Sequence, residues 1–323
     1  MTPTETRRIP IAKQALRAEN IGLYLVLVGI LVFFSIASPY FLTLRNLMDI
    51  LRQSTFVLVA ALGMTLVIMT SGIDLSVGSV LGVSAGVTSV VLIQGQPTVV
   101  AILAGLAVGV ACGYLNSVII TRLGVTDLIA TLSTLSIYRG ILFMMTQGVP
   151  FQAFARPSFS VLGRGNLWLV PVPIIIALFF FLILGYLLRK TVFGRHILAT
   201  GSNREAAILS GIRVNRVKTG VYIISGFTAA ASGIMLAARL SSVPPDLGTG
   251  YELSVIAAVV IGGTSLFGGA GSVAGTFVGA LMVAIIGNGL ILLNVNPFYQ
   301  YVINGLLIIF AVAVNGARRR RSS

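Results

Sequence analysis

Runs of about twenty apolar residues, broken by short polar, basic or glycine-rich stretches, repeat along almost the whole chain. Each run approaches the roughly 20-residue length a helix needs to cross a bilayer. The pattern predicts ten spans, at about 21–38, 54–71, 73–93, 98–120, 126–146, 169–188, 219–238, 252–268, 272–293 and 298–315. Several breaks fall in glycine-rich stretches, so boundaries are soft by a few residues, and merging such breaks would give eight or nine spans. The expected fold class is an all-α, polytopic membrane protein. Residues 1–20 form a tail, 21–315 the membrane region with a loop at 189–218, and 316–323 a basic tail.

Composition supports this reading. Of 323 residues, 56% are hydrophobic and 9% charged, against about 25% charged in a typical soluble domain; the mean hydropathy is +1.00. The net charge of +14 would suit a nucleic-acid ligand, but its distribution argues for orientation instead. With both termini cytoplasmic, 16 of the 22 Lys and Arg fall inside, including Arg7, Arg8, Arg189, Lys190, Arg213 and Arg318 to Arg321. Only Arg45, Arg52, Arg139, Arg156, Arg164 and Arg239 fall outside, as the positive-inside rule expects. No nucleic-acid partner is expected. The first apolar run is long and lacks a small-residue cleavage site after it, so it reads as a retained span rather than a signal peptide.

Glycine and the acids narrow the class of membrane protein. Gly78, Gly82, Gly86; Gly105, Gly109, Gly113; and Gly271, Gly275, Gly279 recur every four residues. On a helix each set shares one face and lets a neighbouring backbone approach closely. The stretch GGAGSVAG lacks the strand, βαβ context and downstream acid of a dinucleotide loop, and no GxxxxGK[ST] phosphate loop occurs. No cofactor is expected. Cys112 is the single cysteine and His196 the single histidine, and no HExxH is present, so nothing points to a metal or to histidine-based catalysis. Asp49, Asp74, Asp127, Asp246 and Glu252 are scattered, without the paired mid-span carboxylates expected of an ion-driven carrier.

Residues 202–211, SNREAAILSG, stand out as a polar insert in the loop. Ser202 and Glu205 have capping-box spacing, Ala206, Ala207, Ile208 and Leu209 favour helix, and Gly211 is a natural stop. A helix over 203–210 would be about 12 Å long, too short to be stable alone in water. It therefore needs a docking surface. A groove on another protein and the chain's own membrane domain or lipid headgroups both satisfy that need.

The stretch TVFGRHILATGSNREAAILSGIRVNRVK resembles the cytoplasmic coupling loop of ribose-type sugar permeases, the membrane subunits of bacterial ATP-binding-cassette importers. Glu205, Ala206 and Ala207 followed by Gly211 resemble that family's EAA-and-glycine signature. GMTLVIMTSGIDLSVGSVLG, LSSVPPDLGTGYELSVIAAVVIGGTSLFGGAGSVAGTFVGA and NGLILLNVNPFYQYVINGLLIIFAV are similar to it as well, so the resemblance covers about residues 40 to 314. It implies a ten-helix permease of type II, vitamin-B12-importer-like architecture in the bacterial inner membrane. It also implies a second permease copy or a sister permease, two ATPase subunits and an extracytoplasmic sugar-binding protein, with lipids around it. On this resemblance Ser202, Asn203, Arg204, Glu205, Ala206, Ala207, Ile208, Leu209 and Gly211 form the helix that couples to the ATPase. The cargo would be ribose or a related pentose, with another sugar, a polyol or a furanosyl signal molecule as alternatives. An ATPase-independent carrier and a membrane scaffold are the rival readings.

Two hairpins and a set of polar residues remain. GIDLSVG and GGTSLFGG share a spacing, Gly72, Leu75, Gly78 against Gly263, Leu266, Gly269, with Gly268 beside the last. Asp74 is placed to cap the third span. The hairpins would form an inner gate or serve simply as tight turns. Hydroxyl and amide groups for a sugar path are Asn116, Ser133, Thr134, Tyr138, Asn288 and Asn304; helix–helix hydrogen bonding explains each equally well. The loop 147–168, with Phe151, Phe154, Arg156, Phe159 and Arg164, would contact the binding protein, and Trp168 would anchor at the membrane interface.

Overall fold

A computed structural model describes residues 18–152 and 156–296, with positions 298, 299, 302, 303, 305, 306 and 309 beyond. Asn304, Phe154, the arginine-rich tail and most of the expected last span lie outside the described residues. The helices are α1 (Ala18–Ala37), α2 (Leu44–Met69), α3 (Val77–Ile93), α4 (Thr98–Thr121), α5 (Asp127–Thr146) and α6 (Pro157–Arg164). A small antiparallel hairpin follows, β1 (Asn166–Leu167) with β2 (Val170–Pro171). Then come α7 (Val172–Lys190), α8 (Val192–Ser202), α9 (Arg204–Leu209), α10 (Val214–Leu240), α11 (Tyr251–Ile261) and α12 (Val273–Leu292).

Among the described residues six helices are long and apolar enough to cross a membrane: α2, α4, α5, α7, α10 and α12. This corrects the expectation of about ten spans, and the type II, vitamin-B12-importer-like architecture that rested on ten falls with it. The apolar part of α1 (Gly22–Ala37), α3 and α11 are shorter. Irregular backbone explains two of the shortfalls. Residues 72–74 have no regular structure, which delays α3 to Val77, and a turn at Gly262–Gly263 ends α11 at Ile261. Apolar residues counted towards spans are thus spent in turns rather than in helix.

Burial separates centre from rim. The apolar windows of α2 and α10 are each 78% buried, against 28% for α4, α5 and α7. Polarity is low all round these helices, so the rim faces a greasy solvent and small residues govern contact within. A Cβ on Gly109 of α4 would strike the Gly226 carbonyl of α10, and one on Gly226 would strike the Gly109 carbonyl. The two backbones therefore abut. A smaller core at the rim joins α1, α2 and α12 through Phe34, Phe41, Ile50, Ala284 and Ile285.

The segment after α5 is pinned rather than loose. Phe151 and Val243 exchange both backbone bonds at 3.0 Å. Arg156 donates to the Gln96 and Leu92 carbonyls at 2.6 and 3.0 Å, and Phe159 of α6 is fully buried. Trp168 at the hairpin tip is 93% exposed.

Candidate functional site

The polar insert folds as a helix, with its cap shifted by one residue. Ser202 closes α8, so the proposed Ser202–Glu205 capping box does not form. Asn203 is the N-cap instead, its Oδ1 accepting from the Ala206 amide at 2.9 Å. Asn is as good a cap as Ser, and its extended backbone turns the chain between the two helices. At the far end Gly211 has φ +80°, and the Ile212 amide closes back on the Ala207 carbonyl at 3.0 Å. Ala207 is buried as the foot of the helix, while Ile208 and Leu209 are 49% and 89% exposed. Beside them a pocket of about 310 Å³ is lined by Phe193, His196, Gly211, Arg213, Arg216 and Val217. Apolar tips next to a basic socket make this a two-part surface.

The two glycine hairpins meet each other and the end of α8. The Gly269 amide donates to the Met69 carbonyl at 3.0 Å. Ser71 Oγ donates to the Phe267 carbonyl at 2.8 Å, with the Gly201 carbonyl as a second acceptor at 3.2 Å. Gly201 has no room for a side chain, because a Cβ there would strike the Met69 carbonyl oxygen and come within 2.6 Å of the Gly269 nitrogen. The turn after α2, the loop before α12 and the residues immediately before α9 thus share one backbone junction. Gly268 and Gly269 sit there with φ +83° and +73°, whereas Gly263, φ +87°, has nothing near its Cβ position.

The 70–76 turn is also tied to its surroundings by side chains. Asp74 is buried, and it does not cap α3; Ser76 occupies that position and makes no side-chain cap. The Asp74 carboxylate instead accepts from the Ser76 amide and hydroxyl at 3.1 and 2.6 Å and from Ser225 of α10 at 2.8 Å. Three donors offset the cost of burying the group. Asn116 Nδ2 donates to Ser76 Oγ at 2.7 Å, and the Tyr138 hydroxyl lies 3.3 Å from Asn116 Oδ1 and 3.1 Å from the Cys112 carbonyl. Nearby, Lys218 Nζ bonds both oxygens of Asp127 at 2.7 Å, and Tyr222 donates to the same carboxylate at 2.9 Å. A Cβ on Gly72 would strike Asp127.

Of the proposed path residues, Asn116, Thr134 and Tyr138 are buried, and Asn116 and Tyr138 are joined in that network. Ser133 is exposed on the opposite face of α5 and bonds its own helix at Ile129. Asn288 exchanges both amide bonds with Asn46 of α2, at 3.0 and 2.8 Å. A pocket of about 390 Å³ lies at the end of the molecule away from α9, lined by Gln53, Phe56, Arg239, Tyr251 and Ser254 among others. Arg239 and Tyr251 sit at helix ends, where polarity does not stand out as it does in mid-helix; the Gln53 amide and the Ser254 hydroxyl, each within a helix, are the signal the sequence carries.

Residues 46–312 match the family described as "Branched-chain amino acid transport system / permease component". The chain is 41% identical over 298 residues to the Ribose import permease protein RbsC of Bacillus subtilis, covering 92% of each. It is 42% identical to the protein of the same name in Escherichia coli, covering 91% of this chain and 93% of that one. It is 36% identical to the L-arabinose ABC transporter permease protein AraH of Azospirillum brasilense, covering 93% and 88%. No solved structure matches the chain.

Proposed function

The chain belongs to the branched-chain amino acid transport system / permease component family, and from its ribose- and arabinose-importing relatives we infer that it is the membrane subunit of an ATP-binding-cassette importer for a monosaccharide, ribose or a related pentose. It is a transport subunit, and ATP is hydrolysed by a separate chain. The sequence has no phosphate loop of its own. An extracytoplasmic sugar-binding protein delivers the cargo, and a second copy or a sister permease completes the passage.

The observation that carries the coupling role is the pairing of α9 with the backbone junction behind it. Leu209 and Ile208 face away from the chain, and an ATPase surface with an apolar groove edged by carboxylates would fit them and the Arg213–Arg216 socket. Ala207 keeps the base of α9 on the permease. A push on α9 passes through Asn203 and Ser202 into Gly201, two residues upstream of the cap. There the main chain is wedged between Met69 and Gly269, so α2, α12 and α8 respond together. Gly72, Asp74, Gly263, Gly268 and Gly269 are in this reading parts of the gate-side turns, with 268–269 in the junction itself, while Gly78 lies in the first turn of α3 against Gly248. Stiff backbone contact transmits displacement better than flexible side chains, because packed interiors yield little.

The test is ATP-driven uptake of D-ribose into proteoliposomes holding this chain with its ATPase and binding protein. Transport should require ATP and all the partners, and replacing Glu205, Ala206 and Ala207 should abolish it. Uphill uptake by this chain alone would overturn the reading.

A further inference from the structure

At the end of the molecule opposite α9, the middle of α2, the end of α10, the start of α11 and the second half of α12 surround the pocket of about 390 Å³. That volume is within the ~300–1,000 Å³ of ordinary small-molecule sites. Small residues Ala284 and Gly287 line the α12 side. Facing them are the Phe56 ring and the Arg239 guanidinium, which lies 5.4 Å above that ring. The Gln53 amide and the Thr249 and Ser254 hydroxyls complete the polar part of the wall. Tyr251 also lines the pocket, with its buried hydroxyl against Ser232, whose own hydroxyl donates to the Phe56 carbonyl at 2.7 Å.

We propose that this pocket is a subsite for a neutral monosaccharide, with Gln53, Arg239 and Ser254 hydrogen-bonding its hydroxyls. The proposal rests on the importer reading above and gives it a location. No carboxylate lines the pocket, so it does not suit a metal ion or an amine. Its one cation is already stacked on Phe56, which leaves the donors at the edge of the guanidinium for hydroxyl oxygens rather than a free face for an anion. A fork of fixed N–H donors, an amide that donates and accepts, and hydroxyls together match a polyol, whose every hydroxyl does both.

Two measurements test this. In cells producing the whole transporter, uptake of labelled D-ribose is compared with uptake of 2-deoxy-D-ribose for Gln53→Ala and Ser254→Ala, with Ser136→Ala, an exposed hydroxyl bonded to its own helix, as control and membrane abundance measured throughout. Each pocket variant should lose about threefold to tenfold in ribose uptake, the worth of a neutral hydrogen bond, and the ribose preference should shift. Equal losses for both sugars, or none, would overturn the subsite. Independently, the purified full chain in nanodiscs, carrying Cys112→Ala and Ser254→Cys, is labelled with a maleimide. Millimolar D-ribose should slow the labelling, and an equal concentration of sodium gluconate should not. Slowing by ribose without any cellular uptake would overturn the importer reading while leaving the pocket standing. Unchanged labelling in a transporter that does take up ribose would overturn the pocket alone.

Discussion

Leu209 gives the most direct test of how force enters the molecule. Its side chain is 89% exposed, so trimming it removes almost nothing from the permease's own packing. Surface replacements of that kind shift stability by no more than about 0.5 kcal/mol. If the same side chain is buried in an ATPase groove, Leu209→Ala removes three carbons from that contact, at about 0.8 kcal/mol each. A loss of about 2 kcal/mol corresponds to roughly 30-fold weaker docking. Leu209→Asp should do worse, because it carries an unpaired charge into the groove. The assay is a titration of the ATPase subunit against the permease in nanodiscs, read by interferometry, with thermal melting of the permease alone alongside. Docking should fall by roughly 30-fold for Ala and further for Asp, with melting unchanged. Wild-type docking by both variants would refute the reasoning, because α9 would then have no apolar partner. A lowered melting temperature without weaker docking would refute it equally, since the side chain would be serving the permease itself.

Three other outcomes follow from the buried geometry. Gly201→Val places a Cβ against the Met69 carbonyl, and overpacking of this kind costs about 1–3 kcal/mol or more; membrane abundance and melting temperature should both fall, and the ATP spent per sugar moved should rise in whatever survives. Asp74→Ala strands Ser76 and Ser225, which donate to that carboxylate, and should cost about 1–3 kcal/mol, with Asp74→Asn recovering part of it in the same melting assay. In a double-mutant cycle, Asn288→Leu and Asn46→Leu should each destabilise by about 1 kcal/mol while the double variant costs less than their sum, because the two amides satisfy each other; strict additivity would contradict that pairing.

Hydropathy and charge located the helices well and counted the spans badly, for a physical reason visible in α3 and α11. Both belong to apolar stretches of span length, but Asp74 with its three donors and the Gly262–Gly263 turn hold the adjoining residues out of the helix. Hydropathy averages over such turns. Local chemistry alone was enough to place a short helix near Ser202, and it missed the true cap because Ser202 and Asn203 are both good capping residues; the preceding helix α8 claims the first. The meeting of Met69, Gly201 and Gly269 left no trace in local spacing, since the partners lie more than sixty residues apart. Asn288 shows the limit of reading a function from a polar residue in an apolar helix. Its amide is consumed by Asn46, one helix away.

The joint at 69, 201 and 269 is made of peptide groups. Every chain carries those groups whatever its side chains, so the fit there depends on the path of the main chain and on the absence of a methyl group at one position. Large residues around it can be exchanged freely so long as the main chain keeps that path.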